Sequence, residues 1–309
     1  MQTGNDSVQG AWNRYKNGSK EAPKLDIQQS WWAMYGLGDG TSEWSMEEKF
    51  EQIAKAGFTG ILGRLPAPAE AEQWRKLLDE YGFSFGIQSF PESREDLGLL
   101  MRQAKDFGVQ YVNSQVADSF LIGAAAIQLL RELNEEACSA QIPYFIETHR
   151  GKVTQDLLRT VDYIQAVGDL RLTIDFSHYV LAGEMNEAAV KAEPFFEKLL
   201  QRTSAIHARV SNGQQIQVDI GAAGEHPMVP YFMRWWKRGM AYWLQRAQPG
   251  EVLPFVVELG PPAYSMICEA GSRQERGFRT DHREISDRWQ QALVFKQLAE
   301  EAWKGTHVR

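Results

Sequence analysis

From Leu25 to Trp303, short apolar runs alternate with segments whose apolar residues recur at helical spacing. The first run, Leu25 to Met34, has strand character and leads through a glycine-rich loop to a predicted helix from Ser45 to Ala56. There Met46, Phe50, Ile53 and Ala54 fall on one face, and Gly57 ends the helix. The unit then recurs. Strands are predicted at Phe58–Leu65, Phe83–Phe90 and Val109–Val116, followed by helices at Ala69–Tyr81, Arg94–Phe107 and Leu121–Ala140. Ile142 to Gly151 is a fifth strand with its helix at Thr154–Val167. Leu170 to His178 is a sixth, with its helix at Glu187–Gln201. Ser204 to Val210 is a seventh, separated by an insertion, Ser211 to Val229, from the helix Pro230–Gln245. Pro254 to Gly260 is an eighth, and Ile285 to Trp303 closes the chain as a helix. Eight strands alternating with eight helices is the count of a (β/α)8 TIM barrel, here one α/β domain over residues 25–309. A doubly wound open sheet is the rival, but no glycine-rich dinucleotide fingerprint follows the first strand. Residues 1–24 show no periodicity and read as a flexible N-terminal arm, available for contacts in a homo-oligomer.

Composition agrees with a large core: 43% of the 309 residues are hydrophobic, with 10 Trp, 10 Tyr and 15 Phe. The formal net charge of −7 is spread among interspersed acids and bases. Without clustered Lys and Arg to neutralise phosphates, nucleic acid is not the expected partner. The polar stretch Met1 to Lys20 is neither a secretory signal nor a membrane span. Cys138 and Cys268 form no close-spaced framework and read as free thiols of a reducing cytoplasm, so a cytoplasmic location is expected.

The strand ends carry the chemistry. In a barrel, catalytic groups come from the C-terminal ends of several strands. Here the fifth strand ends in Glu147-Thr148-His149-Arg150, the sixth in Asp175-Phe176-Ser177-His178, the seventh in His207-Ala208-Arg209 and the eighth in Glu258-Leu259-Gly260. Charged groups in such apolar runs are costly to bury alone, so they must share a partner. One divalent cation held by Glu147, Asp175, His207 and Glu258 satisfies all four. Three carboxylates and one imidazole suit manganese first, with cobalt, magnesium or zinc as alternatives. Trp32, with Trp31 beside it, is a candidate apolar wall against which a bound ring packs.

The order Glu, Asp-x-x-His, His, Glu over these four strand ends resembles the xylose isomerase-like TIM barrels, which include sugar isomerases, epimerases and dehydratases. The resemblance implies that Glu147, Asp175, His207 and Glu258 are the metal ligands and that Glu147 and Glu258 also act as acid and base on a sugar carbon. It implies that His178 and Arg209 contact the substrate. The expected function is a metal-dependent sugar isomerase or epimerase that abstracts a proton next to a carbonyl or hydroxyl bound to the metal. His149 departs from the epimerase pattern, and its place as base, substrate contact or orienter of Glu147 is open. Glu-Thr-His-Arg followed by Asp-Phe-Ser-His also resembles the large subunits of C-glycoside deglycosidases, and an inosose-type dehydratase is a related possibility. That resemblance implies a lyase acting on a 3-keto sugar, with an imidazole as base and a small partner subunit.

Overall fold

The computed structural model describes residues 12–185, 189–269 and 282–306. Eight strands form a closed barrel: β1 (Lys24–Ser30), β2 (Gly60–Gly63), β3 (Ser84–Ser89), β4 (Tyr111–Ser114), β5 (Tyr144–Glu147), β6 (Leu172–Ile174), β7 (Thr203–Ala208) and β8 (Val252–Val257). Every neighbouring pair is parallel. β1 closes the ring against β8 from Lys24↔Val252 to Gln29↔Val257. The outer layer comprises α1 (Met46–Lys55), α2 (Ala71–Tyr81), α3 (Arg94–Phe107), α4 (Gly123–Ala140), α5 (Leu157–Ala166), α6 (Ser177–Ala182), α7 (Glu193–Leu200), α8 (Val229–Leu244) and α9 (Arg288–Lys304). Among the described residues no helix is long and apolar enough to cross a membrane.

Local chemistry sets the element ends. Ser45 and Glu48 form a capping box that starts α1, because each side chain accepts from the other's backbone N–H. Gly108, at φ 95°, ends α3 in the left-handed conformation that a side chain would disfavour. Pro194 and Pro230 begin α7 and α8, where a missing N–H costs nothing.

Four expected boundaries shift. β1 stops at Ser30, and Trp32–Met34 forms a 3-10 turn instead of extending the strand. Trp31 N–H makes a last bond to the Leu62 carbonyl at 2.8 Å before the chain turns. An unbroken apolar run reads the same in either conformation. The sixth strand is three residues long and His178 belongs to α6, because Asp175 Oδ1 accepts from both the Ser177 N–H (3.0 Å) and its hydroxyl (2.5 Å), bending the chain into the helix. Strand eight runs over Val252–Val257, which leaves Glu258 to Gly260 beyond the ladder. The helix expected from Glu187 appears as α7 from Glu193, and residues 186–188 lie outside the described residues. A two-stranded antiparallel ribbon, β9 (Ile267–Glu269) with β10 (His282–Glu284), has no counterpart in the sequence pattern.

Of the N-terminal segment, residues 1–11 lie outside the described residues. The part that follows packs against the N-terminal end of the barrel. Asn13 Oδ1 accepts from Tyr144 N–H at 2.7 Å, Val252 N–H donates to the Tyr15 carbonyl at 3.0 Å, and the Tyr15 ring stacks on Tyr111 with centroids 5.7 Å apart. Inside the barrel, Asp26 accepts from Thr59 (2.6 Å), Ser84 (2.6 Å) and Gln28 (2.8 Å), and Tyr111 donates to Gln28 at 2.6 Å. These bonds satisfy a carboxyl whose pKa burial raises.

Tyr111 reaches this layer only because residue 86 is glycine: a Cβ there would lie 2.3 Å from its ring. Gly86→Ala should therefore destabilise the barrel by about 1–3 kcal/mol through overpacking. A lowered urea midpoint with an unchanged m-value checks this, and a midpoint equal to wild type would contradict it.

Candidate metal centre and its cavity

Four strand ends converge at the C-terminal mouth. Glu147 is the last residue of β5, Asp175 and Glu258 lie one residue past β6 and β8, and His207 lies within β7. Glu147 and Asp175 are fully buried, and His207 and Glu258 are 1% and 6% exposed. Each offers a ligand atom, and the four atoms lie within 4.8 Å of one another.

Each carboxylate is held separately. Glu147 Oε2 accepts from Gln88 Nε2 (2.8 Å), Asn113 Nδ2 (2.6 Å) and Gln115 Nε2 (3.2 Å), while its Oε1 lies 3.6 Å from His207 Nδ1. Asp175 Oδ2 is paired with Arg209 Nη1 at 2.7 Å. Glu258 Oε2 faces Arg209 Nη2 at 2.9 Å and His207 Nδ1 at 3.2 Å. Arg209 Nε also donates to the Glu258 carbonyl at 3.0 Å, so this buried guanidinium ties β6 to β8.

Burial and charge oppose each other here. Burial works against the charged form of His207, but Glu258 and Glu147 on either side override it and push the imidazole up to about 10. Burial also works against an ionised Glu147, yet the charge of His207 and the surrounding donors hold this carboxyl well below the usual range. Asp175 is pushed up to about 6 by burial, against the pull of Arg209. Three carboxylates thus face one permanent cation. A dication replacing the proton of His207 would bring the group to neutrality, so the donor set fits a divalent metal.

Glu258 connects this cluster to a cavity of about 450 Å³, bordered also by Trp32, Gln88, Gln115, His149, Arg209 and Tyr264. His149 Nδ1 is 2.5 Å from the Arg150 carbonyl, an acceptor, so the proton sits on Nδ1 and the Nε2 lone pair is an acceptor facing the Tyr264 hydroxyl. Burial lowers the pKa of His149. His178 is fully buried behind it, with ring centroids 3.8 Å apart and Nε2 at 3.5 Å from Asp175 Oδ2, and does not border the cavity. Trp32 stands edge-on to Tyr264 at 5.0 Å. The Tyr264 ring lies 4.9 Å from both the Arg150 and the Arg209 guanidinium, and its hydroxyl is 3.5 Å from His149 Nε2.

A family model described as xylose isomerase-like TIM barrel matches residues 50–226, more than half of the chain. The chain belongs to the xylose isomerase-like TIM barrel family. Three of the four converging residues, Glu147, Asp175 and His207, fall inside the matched span of this xylose isomerase-like barrel, and Glu258 lies beyond it. No curated protein matches the chain by sequence. Among solved structures, a xylose isomerase-like TIM barrel protein from Mycobacterium smegmatis in complex with magnesium is 14% identical, with a TM-score of 0.57 over 91% of this chain and 98% of that one. A probable 3-DHS dehydratase involved in petrobactin synthesis from Bacillus anthracis is 13% identical, with a TM-score of 0.50 over 76% of this chain and 92% of that one. A D-allulose 3-epimerase from Methylomonas sp. in complex with D-allulose is 16% identical, with a TM-score of 0.49 over 77% and 85%. At these identities the likeness is one of fold.

Sequence reasoning brought together the four converging residues and their neighbours His149, Arg209 and Trp32. It missed Gln88, Asn113 and Gln115, although polar side chains at alternate positions 113 and 115 at the end of an apolar strand are a legible signal. Tyr264 lies in the loop after β8 and carries no pattern at all.

Metal uptake should compete with protons. His207 must lose its proton to offer Nδ1, so below about pH 10 the apparent affinity for Mn²⁺ should rise with pH by about tenfold per unit. Below about pH 6 a protonated Asp175 should steepen the dependence. Titration of chelator-stripped protein with Mn²⁺ across roughly pH 5.5 to 8.5, below the His207 value and on both sides of the Asp175 value, reads this directly. A flat profile would contradict the assigned ligands.

Proposed function

We propose that the protein is a divalent-metal-dependent sugar isomerase or epimerase, acting by proton abstraction from a sugar or polyol carbon next to a carbonyl. The observation that carries this reading is that His149 and Glu258, two groups able to move protons, border the same cavity, and Glu258 is itself one of the four clustered residues. Glu147, Asp175, His207 and Glu258 would hold the ion, with manganese favoured and magnesium, cobalt or zinc as alternatives for so carboxylate-rich a set. When bound, such an ion polarises a sugar carbonyl and a neighbouring hydroxyl and steadies the negative charge that deprotonation creates.

The remaining work falls to the chain's own side chains. Glu147 is saturated with donors and held ionised, which makes it a ligand and a weak proton acceptor. His149 is neutral near pH 7 because burial disfavours its charge, and its Nε2 lone pair can take a proton at the cavity wall. Glu258 is the second group placed to return a proton. Arg209 keeps Asp175 and Glu258 in register, and Trp32 with Tyr264 provides a wall that keeps water from the reacting carbon. Proton return to an adjacent carbon isomerises, and return to the opposite face epimerises.

A lyase is the second reading, favoured by one feature: the base at the wall is an imidazole two residues beyond the first ligand. Used alone on a 3-keto sugar, His149 would lead to elimination, as in a dehydratase or a C-glycoside deglycosidase large subunit working with a small partner subunit.

Incubation of the Mn²⁺-loaded protein with ketoses and with oxidised glycosides in D2O separates the readings by product. His149→Ala should retain the metal and lose solvent exchange at the substrate carbon by about 10²- to 10⁴-fold, the range for removal of a general base. Glu258→Gln should lose both metal and turnover. Undiminished exchange in His149→Ala would transfer the base role to Glu258, and full activity in Glu258→Gln would remove the proposal.

A further inference from the structure

At the opposite mouth of the barrel, where the N-terminal segment lies against the strand starts, a cavity of about 10 Å³ is bordered by Asn13, Arg14, Arg171, Ser204, Arg246 and Glu251. Three guanidiniums thus stand around it against one carboxylate. Arg171 immediately precedes β6, Ser204 is the second residue of β7, Arg246 follows α8 and Glu251 immediately precedes β8, so the N-terminal segment meets four barrel elements there.

The hydrogen bonds leave donors over. Arg14 Nη1 donates to the Arg246 carbonyl at 2.6 Å and lies 3.1 Å from Glu251 Oε1, which engages the one carboxylate. Arg246 Nη2 donates to the Thr203 carbonyl at 2.5 Å, and its Nη1 to the Gln201 carbonyl. Among the described residues the Arg171 guanidinium has no hydrogen-bond acceptor or ion-pair partner. Asn13 is 1% exposed; its Oδ1 accepts from the Tyr144 N–H at 2.7 Å, which fixes the orientation of the amide, and its buried Nδ2 has no acceptor. Donors left unpaired in this way are costly unless a negative group completes them. Electrostatics agree. Burial, with Arg202 and Arg14 close by, pushes Arg171 down to about 10, and burial with Arg171, Arg14 and Arg202 pushes Arg246 down to about 9, although Glu251 pulls the other way on both and Asp169 on Arg171.

Size and donors together define the occupant. A space on this scale holds one particle of about water dimensions, which is too little for phosphate or an organic acid. Water would need acceptors for its own protons, and the carboxylate at the wall is already engaged by Arg14. A monatomic anion only accepts. We propose that this cavity is a binding site for a small monovalent anion of chloride size, held by Asn13 Nδ2 and the Arg171 guanidinium with Arg14 and Arg246 beside them. Because Asn13 and Arg14 belong to the N-terminal segment and Arg171 and Arg246 to the barrel, the ion ties the one to the other and stabilises the fold from the end away from the metal cluster.

Crystals of the full chain soaked in bromide, which has the same charge and a strong anomalous signal, should show one peak in contact with Asn13 Nδ2 and the Arg171 guanidinium. In solution, replacing gluconate by chloride at constant ionic strength should raise the thermal midpoint saturably, by roughly 2–3 °C at chloride about twentyfold above its dissociation constant. Gluconate screens surface charge equally but is too large for the cavity. Arg171→Gln should abolish the chloride response. Asn13→Asp places a fixed carboxylate beside the guanidiniums, so in gluconate it should match the chloride-loaded wild type and gain nothing from chloride. This second variant keeps the test decisive where Arg171→Gln does not fold. No bromide peak at this position, a wild-type midpoint indifferent to chloride, or a chloride response that persists in Asn13→Asp would each overturn the inference.

Discussion

Three carboxylates cannot be crowded into a dry barrel mouth unless their charge is answered, and the rest of the site follows from that constraint. Arg209 answers two of them by bridging Asp175 and Glu258. Glu147 is answered by dipoles, through the amides of Gln88, Asn113 and Gln115. His207 sits between Glu147 and Glu258, and in the absence of a metal it takes up the proton that their charges demand. A divalent ion in place of that proton would bring the group to neutrality.

The barrel makes the constraint tolerable. Because the four clustered residues come from four strands tied into one ring, none of them can retreat from its neighbours without disturbing the ladders beneath. The opposite end of the ring is fastened differently. There Tyr15 and Asn13 pack on Tyr111 and Tyr144, and Asp26 closes an inner polar layer with Thr59, Ser84 and Gln28.

Much of this was legible in the chain itself. Alternating strand and helix patterns gave the barrel, because period two and period 3.6 differ enough to be counted, and charged residues ending four apolar runs gave the cluster. Boundaries were less legible. Trp31 to Met34 and Phe176 to His178 are apolar or mixed segments that leave their strands through single turns, which depend on a few local hydrogen bonds rather than on any periodicity. The cavity was legible only in part, since Trp32, Phe90 and His149 lie at or near predicted strand ends, whereas Tyr264 reaches it from a loop. The fastening of residues 13 to 15 was also hidden, because a short irregular segment has no pattern to report which of its side chains will be buried.

The pairing of Arg209 with two of the four candidate ligands is the feature on which the account turns. An anomalous difference map from crystals soaked in Mn²⁺ tests it most directly. The account requires a single strong peak within coordination distance of Glu147, Asp175, His207 and Glu258, with Arg209 still bonded to the outer oxygens of Asp175 and Glu258. No peak there at saturating Mn²⁺, or a peak held by other residues while His207 remains between the two glutamates, would contradict it.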